Sequence, residues 1–466
     1  MKRLSVFLLI ALFSMNMVQA QCKQFAGQWN GALKVQGIQL RLVFNISCKG
    51  DTASASFDSP DQGAKGIAFE KVTIEGTQLT IDAPALRANY KATLIGDTLL
   101  DGTWSQGGMS LPLSLVRSQK PITINRPQEP QKPYPYQTEE VQFDSKSVGV
   151  TLSGTLSLPK GNGPFKAVVL VSGSGPQNRD EELLSHKPFL VLADYLTRQG
   201  IAVLRYDDRG IGQSSGDFSM ATSLDFADDA EGALEYLLKR PEIDKKKIGI
   251  AGHSEGGMIA PVVASRNSKV AFIVMLAGPG QKSIDLMADQ ARLVSVAEGE
   301  TEAAVAESLH LNAQLFDILL KQANDSIAMH EMKSLALETI ESSQALSAEE
   351  KKSQIDQLPI TLKRVLNPWF RMFIAWDPAV WLEQVKCPVL AINGSNDLQV
   401  PANKNLPLVE AALKKGGNKQ VTTVELKGLN HLFQHCETGS PSKYGTIEET
   451  FAPEALEAIA VWVKRM

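Results

Sequence analysis

An excess of charge of one sign is what this chain most lacks. Its 47 Lys and Arg face 51 Asp and Glu, a net of −4. No basic stripe offers a footprint for nucleic acid or an anionic membrane surface, so both partner classes drop out. Cysteine is scarce, with two early (Cys22, Cys48) and two late (Cys387, Cys436), a spacing that fits no zinc pattern. Export would permit the early two to pair, whereas Cys387 opens a strand and Cys436 follows a loop at the sheet's other end, so the late two are expected to stay apart. Histidine occurs only six times. An integral membrane span is not expected. The apolar run at the start, Leu4 to Phe13, is too short to be one.

That run follows Lys2 and Arg3 and precedes Val18-Gln19-Ala20, so residues 1–20 read as a secretory signal peptide with a small-residue cleavage site. The expected destination is periplasmic or secreted. Cys22 invites a lipoprotein reading, but Gln21 before it and Gln19 make a poor lipidation site.

At 466 residues and 43% hydrophobic, the chain is long enough for two or three domains with sizeable cores. Residues 21–118 alternate short strand-like runs with turns: Ile38 to Ile46, Ala53 to Phe57, Lys71 to Ile74, Gln78 to Ile81, Tyr90 to Leu94, Thr98 to Trp104 and Leu111 to Val116. This predicts an antiparallel β domain of seven or eight strands, a barrel or sandwich, with Trp29 in its core. Residues 119–138 carry Pro121, Pro127, Pro130, Pro133 and Pro135 and read as a semi-rigid linker. Residues 139–466 alternate strands and helices, the pattern of a mostly parallel sheet covered on both faces. Thr222 and Asp225 have capping-box spacing ahead of a periodic helix. From about 281 to 367 the chain leaves this alternation for an Ala-, Glu-, Leu- and Gln-rich helical excursion.

Within this frame, Lys247 to Gly257 is a short apolar strand running into Gly252-His253-Ser254-Glu255-Gly256 and then a helix. Gly-x-Ser-x-Gly at a strand-to-helix turn presents a serine hydroxyl where bulkier neighbours would bury it. The pattern alone is common in a glycine-rich chain. Its partners decide. A nucleophilic serine needs a base and a carboxylate to orient that base, on loops after later strands. The strand Pro388 to Asn393 ends in a turn carrying Asp397, and Val421 to Leu426 breaks just before His431. Ser254, Asp397 and His431 are therefore the candidate nucleophile, acid and base. An oxyanion hole requires two N–H donors. Glu255 N–H is one, and the small-residue loop Ser172-Gly173-Ser174-Gly175 supplies Ser174, with Gly175 as the rival. His253 is expected to pack beside the elbow. Trp369 and Phe370, after the excursion, either line a substrate pocket or pack the excursion against the core.

Four motifs in this order, Ser172 to Asp180, Arg205 to Ser214, Gly252 to Gly257 and Asn393 to Pro401, resemble the α/β-hydrolase superfamily and, more narrowly, EstD-type bacterial carboxylesterases. The resemblance covers the C-terminal two-thirds. It implies an α/β-hydrolase fold with a helical cap at about 281–367, and hydrolysis of a small-molecule carboxylic ester through an acyl-serine. It implies no metal or organic cofactor. Asp207, Arg209, Arg179 and Asp180 are read as braces of the loops. Two other readings compete. A serine peptidase or aminopeptidase would use the same triad, although a β domain of about 100 residues cannot form a seven-bladed propeller whose blades take about 40 each. A binding protein would capture a glycan or lipid in the β domain over a vestigial hydrolase scaffold.

Overall fold

The computed structural model describes residues 22–35, 38–49, 52–59, 64–106, 109–118, 125–343 and 347–466. The signal peptide assigned to residues 1–20 lies outside the described residues. Two compact units divide between Asn125 and Arg126.

The first unit is one antiparallel sheet of nine strands: β1 (Gly27–Val35), β2 (Ile38–Lys49), β3 (Thr52–Ser59), β4 (Ala64–Ala68), β5 (Lys71–Glu75), β6 (Gln78–Ala83), β7 (Ala88–Ile95), β8 (Leu99–Gln106) and β9 (Met109–Ser118). Their order is β4-β3-β2-β1-β9-β8-β7-β6-β5. Strict alternation sends one face inward. In β7, Ala88, Tyr90, Ala92 and Leu94 are buried while Lys91 and Ile95 are not. The inward side chains meet in one core around Trp29, Phe44, Phe57, Phe69 and Tyr90. Phe69 N–H donates to Ala55 O, returning the chain after β4 onto β3 and rolling the sheet. The count is nine rather than seven or eight because β1 and β4 were not recognised as strands. The structure is a single rolled sheet, not a two-sheet sandwich. Cys22 and Cys48 are joined by a disulfide. A sulfur so engaged cannot also carry a lipid thioether.

In the second unit, the Pro-rich run is no free linker from Arg126 onward. The Arg126 guanidinium donates to the carbonyls of Leu184, Ser185 and Gly445, and the Gln128 amide bridges Thr450 and Phe451. The sheet that follows contains β10 (Gln137–Asp144), β11 (Thr151–Leu158), β12 (Phe165–Val171), β13 (Ala202–Tyr206), β14 (Ile243–His253), β15 (Phe272–Leu276), β16 (Val389–Gly394) and β17 (Val421–Leu426). Its order is β10-β11-β13-β12-β14-β15-β16-β17, parallel from β13 onward. Strands β13, β15 and β16 are buried along their whole length, as strands covered on both faces must be. One core layer packs helices Ser223–Lys239, Glu255–Arg266 and Ala402–Lys415 against the sheet; the other packs Pro188–Arg198 and Pro453–Arg465. Helices Ser283–Ala297, Glu302–Lys321, Asp325–Ser342 and Ala348–Val365 occupy the excursion between β15 and β16.

Helix Ser223–Lys239 starts on a capping box in which the Thr222 hydroxyl and Asp225 carboxylate satisfy each other's backbone N–H. Its inner side carries Asp229, which takes a bidentate ion pair from Arg209 at 2.8 and 2.9 Å. Both side chains are buried. Arg179 clamps Asp207 in the same manner at 3.0 and 2.7 Å, and Arg205 pairs with Asp180. Arg209, Arg179, Asp207 and Asp180 thus brace loops.

Removing one partner of a buried pair leaves an unsatisfied charge, which costs more than losing a half-buried cap. In urea unfolding of the second unit, Asp229→Ala should therefore destabilise by about 3 kcal/mol or more and Thr222→Ala by about 1 kcal/mol.

Candidate active site

The carboxyl ends of β12, β14, β16 and β17 lie along one edge of the sheet, and each opens into a loop that carries one part of the site. At the end of β14 the backbone turns through Ser254 at φ +52° and ψ −113° into helix Glu255–Arg266. A positive φ at a serine is strained, so the surrounding packing must impose it. Glycine permits that packing. A Cβ on Gly252 would lie 1.9 Å from the Gly256 carbonyl oxygen, and one on Gly256 would lie 2.1 Å from that of Val171. The helix begins at Glu255, directly after the serine, so its first free N–H groups stand beside that residue.

Asp397, past the end of β16, accepts N–H bonds from Gln399 and Val400 on Oδ1, both at 2.8 Å. Its Oδ2 faces His431 Nδ1 at 2.7 Å, with both side chains buried. An acceptor-only carboxylate places the imidazole hydrogen on Nδ1 and leaves Nε2 as the basic nitrogen. Asp397 and His431, 34 residues apart, thus meet. Ser254, His431, Glu255 and Ser174 line one cavity of about 540 Å³. The cavity's other wall is apolar, with Met258, Leu286, Met287, Val294 and Phe373 joined by Trp369 and Phe370. Asp285 and Asp377 border a separate groove.

The carboxyl groups of three buried acids in and around this cavity were not given roles from sequence. Glu255 accepts from Ser223 Oγ at 2.6 Å and Trp369 Nε1 at 2.7 Å, and burial pushes its carboxyl pKa up despite these donors and Ser174. The indole of Trp369 therefore both lines the cavity and ties its own helix to the elbow. Asp208 accepts from Ser172 Oγ and Gln177 N–H, and burial pushes its pKa up to about 8. Glu181, with φ +51°, accepts from Gly173 N–H at 2.7 Å and meets His253 Nδ1 at 2.9 Å. His253 Nε2 meets the His431 carbonyl oxygen, also at 2.9 Å. His253 thus sits beside the elbow with its ring nitrogens directed to Glu181 and His431. His435 is half-exposed against Glu449 and Glu454. Sequence spacing gave no signal for these pairings. Only a buried-acid position within two of the motifs, Asp208 and Glu255, could have drawn notice.

Residues 185–437, more than half of the chain, match the profile of the family described as serine aminopeptidase, S33. Over 149 residues the chain is 37% identical to the esterase EstD of Thermotoga maritima, covering 32% of this chain and 35% of that protein. Over 158 residues it is 30% identical to the polyketide transferase claH of Penicillium crustosum, covering 32% and 46%. The chain thus spans between a third and a half of the length of these curated relatives. Among solved structures, the esterase Pf2001 of Pyrococcus furiosus aligns over 71% of this chain and 93% of its own, at 18% identity and a TM-score of 0.42.

If Asp397 orients the base, Asp397→Asn should lower kcat about a thousandfold. Asp285→Asn and Asp377→Asn should stay within about twofold of wild type. Steady-state kinetics on one soluble ester compares the three, and equal losses would show the acid to be misassigned.

Proposed function

The chain belongs to the serine aminopeptidase S33 family of α/β-hydrolases, and from that membership together with its likeness to the esterase EstD we propose that it is a carboxylesterase working through an acyl-serine intermediate. Ser254 Oγ attacks the ester carbonyl carbon while its proton passes to His431 Nε2, and Asp397 stabilises the imidazolium that results. The carbonyl π electrons move onto oxygen, where the N–H groups of Glu255 and Ser174 receive the negative charge. Collapse of this intermediate expels the alcohol, which takes the proton from His431. Water then repeats the cycle with His431 as base and releases the acid, restoring Ser254. Trp369 and Phe370 form part of the pocket for the apolar portion of the substrate. The helices at about 281–367 serve as the cap that walls this pocket.

One observation favours an ester with an apolar acyl group: Met258, Leu286, Met287, Val294 and Phe373 line the cavity beside Ser254 and suit an uncharged apolar chain. We also propose export to an oxidising compartment, which the Cys22–Cys48 disulfide favours.

Wild type should hydrolyse p-nitrophenyl butyrate and leave aminoacyl p-nitroanilides nearly untouched. Ser254→Ala should lower kcat/KM on the ester by about a thousandfold or more, with an unchanged circular dichroism spectrum. Faster turnover of the anilides, or wild-type turnover by Ser254→Ala, would refute the proposal.

A further inference from the structure

His253 is buried, and each of its ring nitrogens lies 2.9 Å from an oxygen: Nδ1 from Glu181 Oε1 and Nε2 from the main-chain carbonyl of His431. A carbonyl oxygen can only accept, so Nε2 must carry a hydrogen. Glu181 Oε1 already accepts the Gly173 N–H. A neutral imidazole has a single N–H and could serve only one of these two oxygens. Meeting both takes one more proton, shared within the His253–Glu181 pair.

We propose that His253 is held as an imidazolium paired with the Glu181 carboxylate, and that this buried pair is a positioning device for the acyl-transfer reaction proposed above. It fastens three loops at once. Glu181 holds Gly173, the residue before the Ser174 N–H; His253 immediately precedes Ser254; and the His431 carbonyl belongs to the residue carrying the base. Glu181 adopts a left-handed backbone, φ +51°, a conformation a glutamate accepts only when its surroundings demand it.

The groups facing the His253 ring are Glu181 from the loop after β12, and the His431 ring, at 4.8 Å between centroids, from the loop after β17. Asp397 also acts on it electrostatically from the loop after β16, and Phe433 packs against it at 6.4 Å. Burial alone would push the His253 pKa down, but the Glu181 charge and hydrogen bond, aided by the His431 carbonyl, outweigh it and leave the value above that of an ordinary histidine. Since the folded value exceeds the unfolded one, the stabilisation from the His253 proton is present in full below the ordinary histidine value and is lost as pH rises through the folded value. Glu181 also neutralises the cation, so that it does not oppose the protonation of His431 during each turnover.

Glutamine at position 181 cannot substitute. Its oxygen can face Gly173 and His253 Nδ1 but carries no charge to hold the cation. Its nitrogen would instead meet the Gly173 N–H head on.

The test is ring ¹⁵N NMR of histidine-labelled wild-type protein without substrate, with the exposed His435, which also has acidic neighbours, removed from the spectrum by His435→Gln. We expect one buried histidine with both nitrogens protonated at pH 8. In Glu181→Gln that signature should be lost at pH 8. Its kcat at and above neutrality should fall about 10- to 100-fold with KM within about threefold, because without the Glu181 charge burial takes the His253 proton off at lower pH than in wild type. A neutral His253 in wild type at pH 8, or a Glu181→Gln profile of wild-type height and shape, would overturn the proposal. The NMR arm needs no turnover, so it fails independently of the ester-hydrolysis reading.

Discussion

Helix Glu255–Arg266 lies so close to β12 and β14 that no side chain fits at Gly252 or Gly256, where a Cβ would meet a carbonyl oxygen at about 2 Å. This approach forces Ser254 into its positive φ. It also brings the free N–H groups at the start of the helix to the serine and sets the depth of the cavity beside it. Position, not intrinsic reactivity, is what the fold confers on this hydroxyl. The strain is tolerated because the end of β14, from Ile248 to His253, is buried and the strand is paired on both sides.

Buried charge surrounds the turn and is almost entirely paired. Arg209 with Asp229 and Arg179 with Asp207 hold the loops after β13 and β12, while Arg205 keeps an unsatisfied Nε. Such pairs contribute little net stability, because desolvation offsets their attraction, yet each would be expensive to break. Their consequence is rigidity at the sheet edge. The carboxyls of Glu255, which lines the cavity, and of Asp208, which lies behind it, are pushed toward their neutral forms by burial. A cavity walled largely by apolar side chains favours an uncharged ligand.

Much of this was legible in the sequence because strand ends announce themselves. Ser254, Asp397 and His431 each follow an apolar run broken by glycine, and the capping box at Thr222 and Asp225 is a local pattern with a local cause. What stayed hidden depends on partners far apart in sequence. Glu181 meets His253 across 72 residues and Trp369 meets Glu255 across 114. No periodicity links such positions. In the first unit, β4 was missed because Ala-Lys-Gly-Ile-Ala holds one strong strand former, and pairing with β3 supplies what propensity does not. The Pro-rich segment was read as a spacer because proline excludes regular structure, yet from Arg126 it is fastened by side chains to irregular backbone, which composition cannot reveal.

The central claim is that Ser254 becomes covalently acylated. Wild-type protein mixed with a p-nitrophenyl ester, quenched in acid during the first turnover and digested, can be mapped by mass spectrometry. The account predicts the acyl mass on the peptide containing Ser254, in amounts matching the burst of p-nitrophenol. An adduct on another residue, or a burst with no acylated peptide, would contradict it.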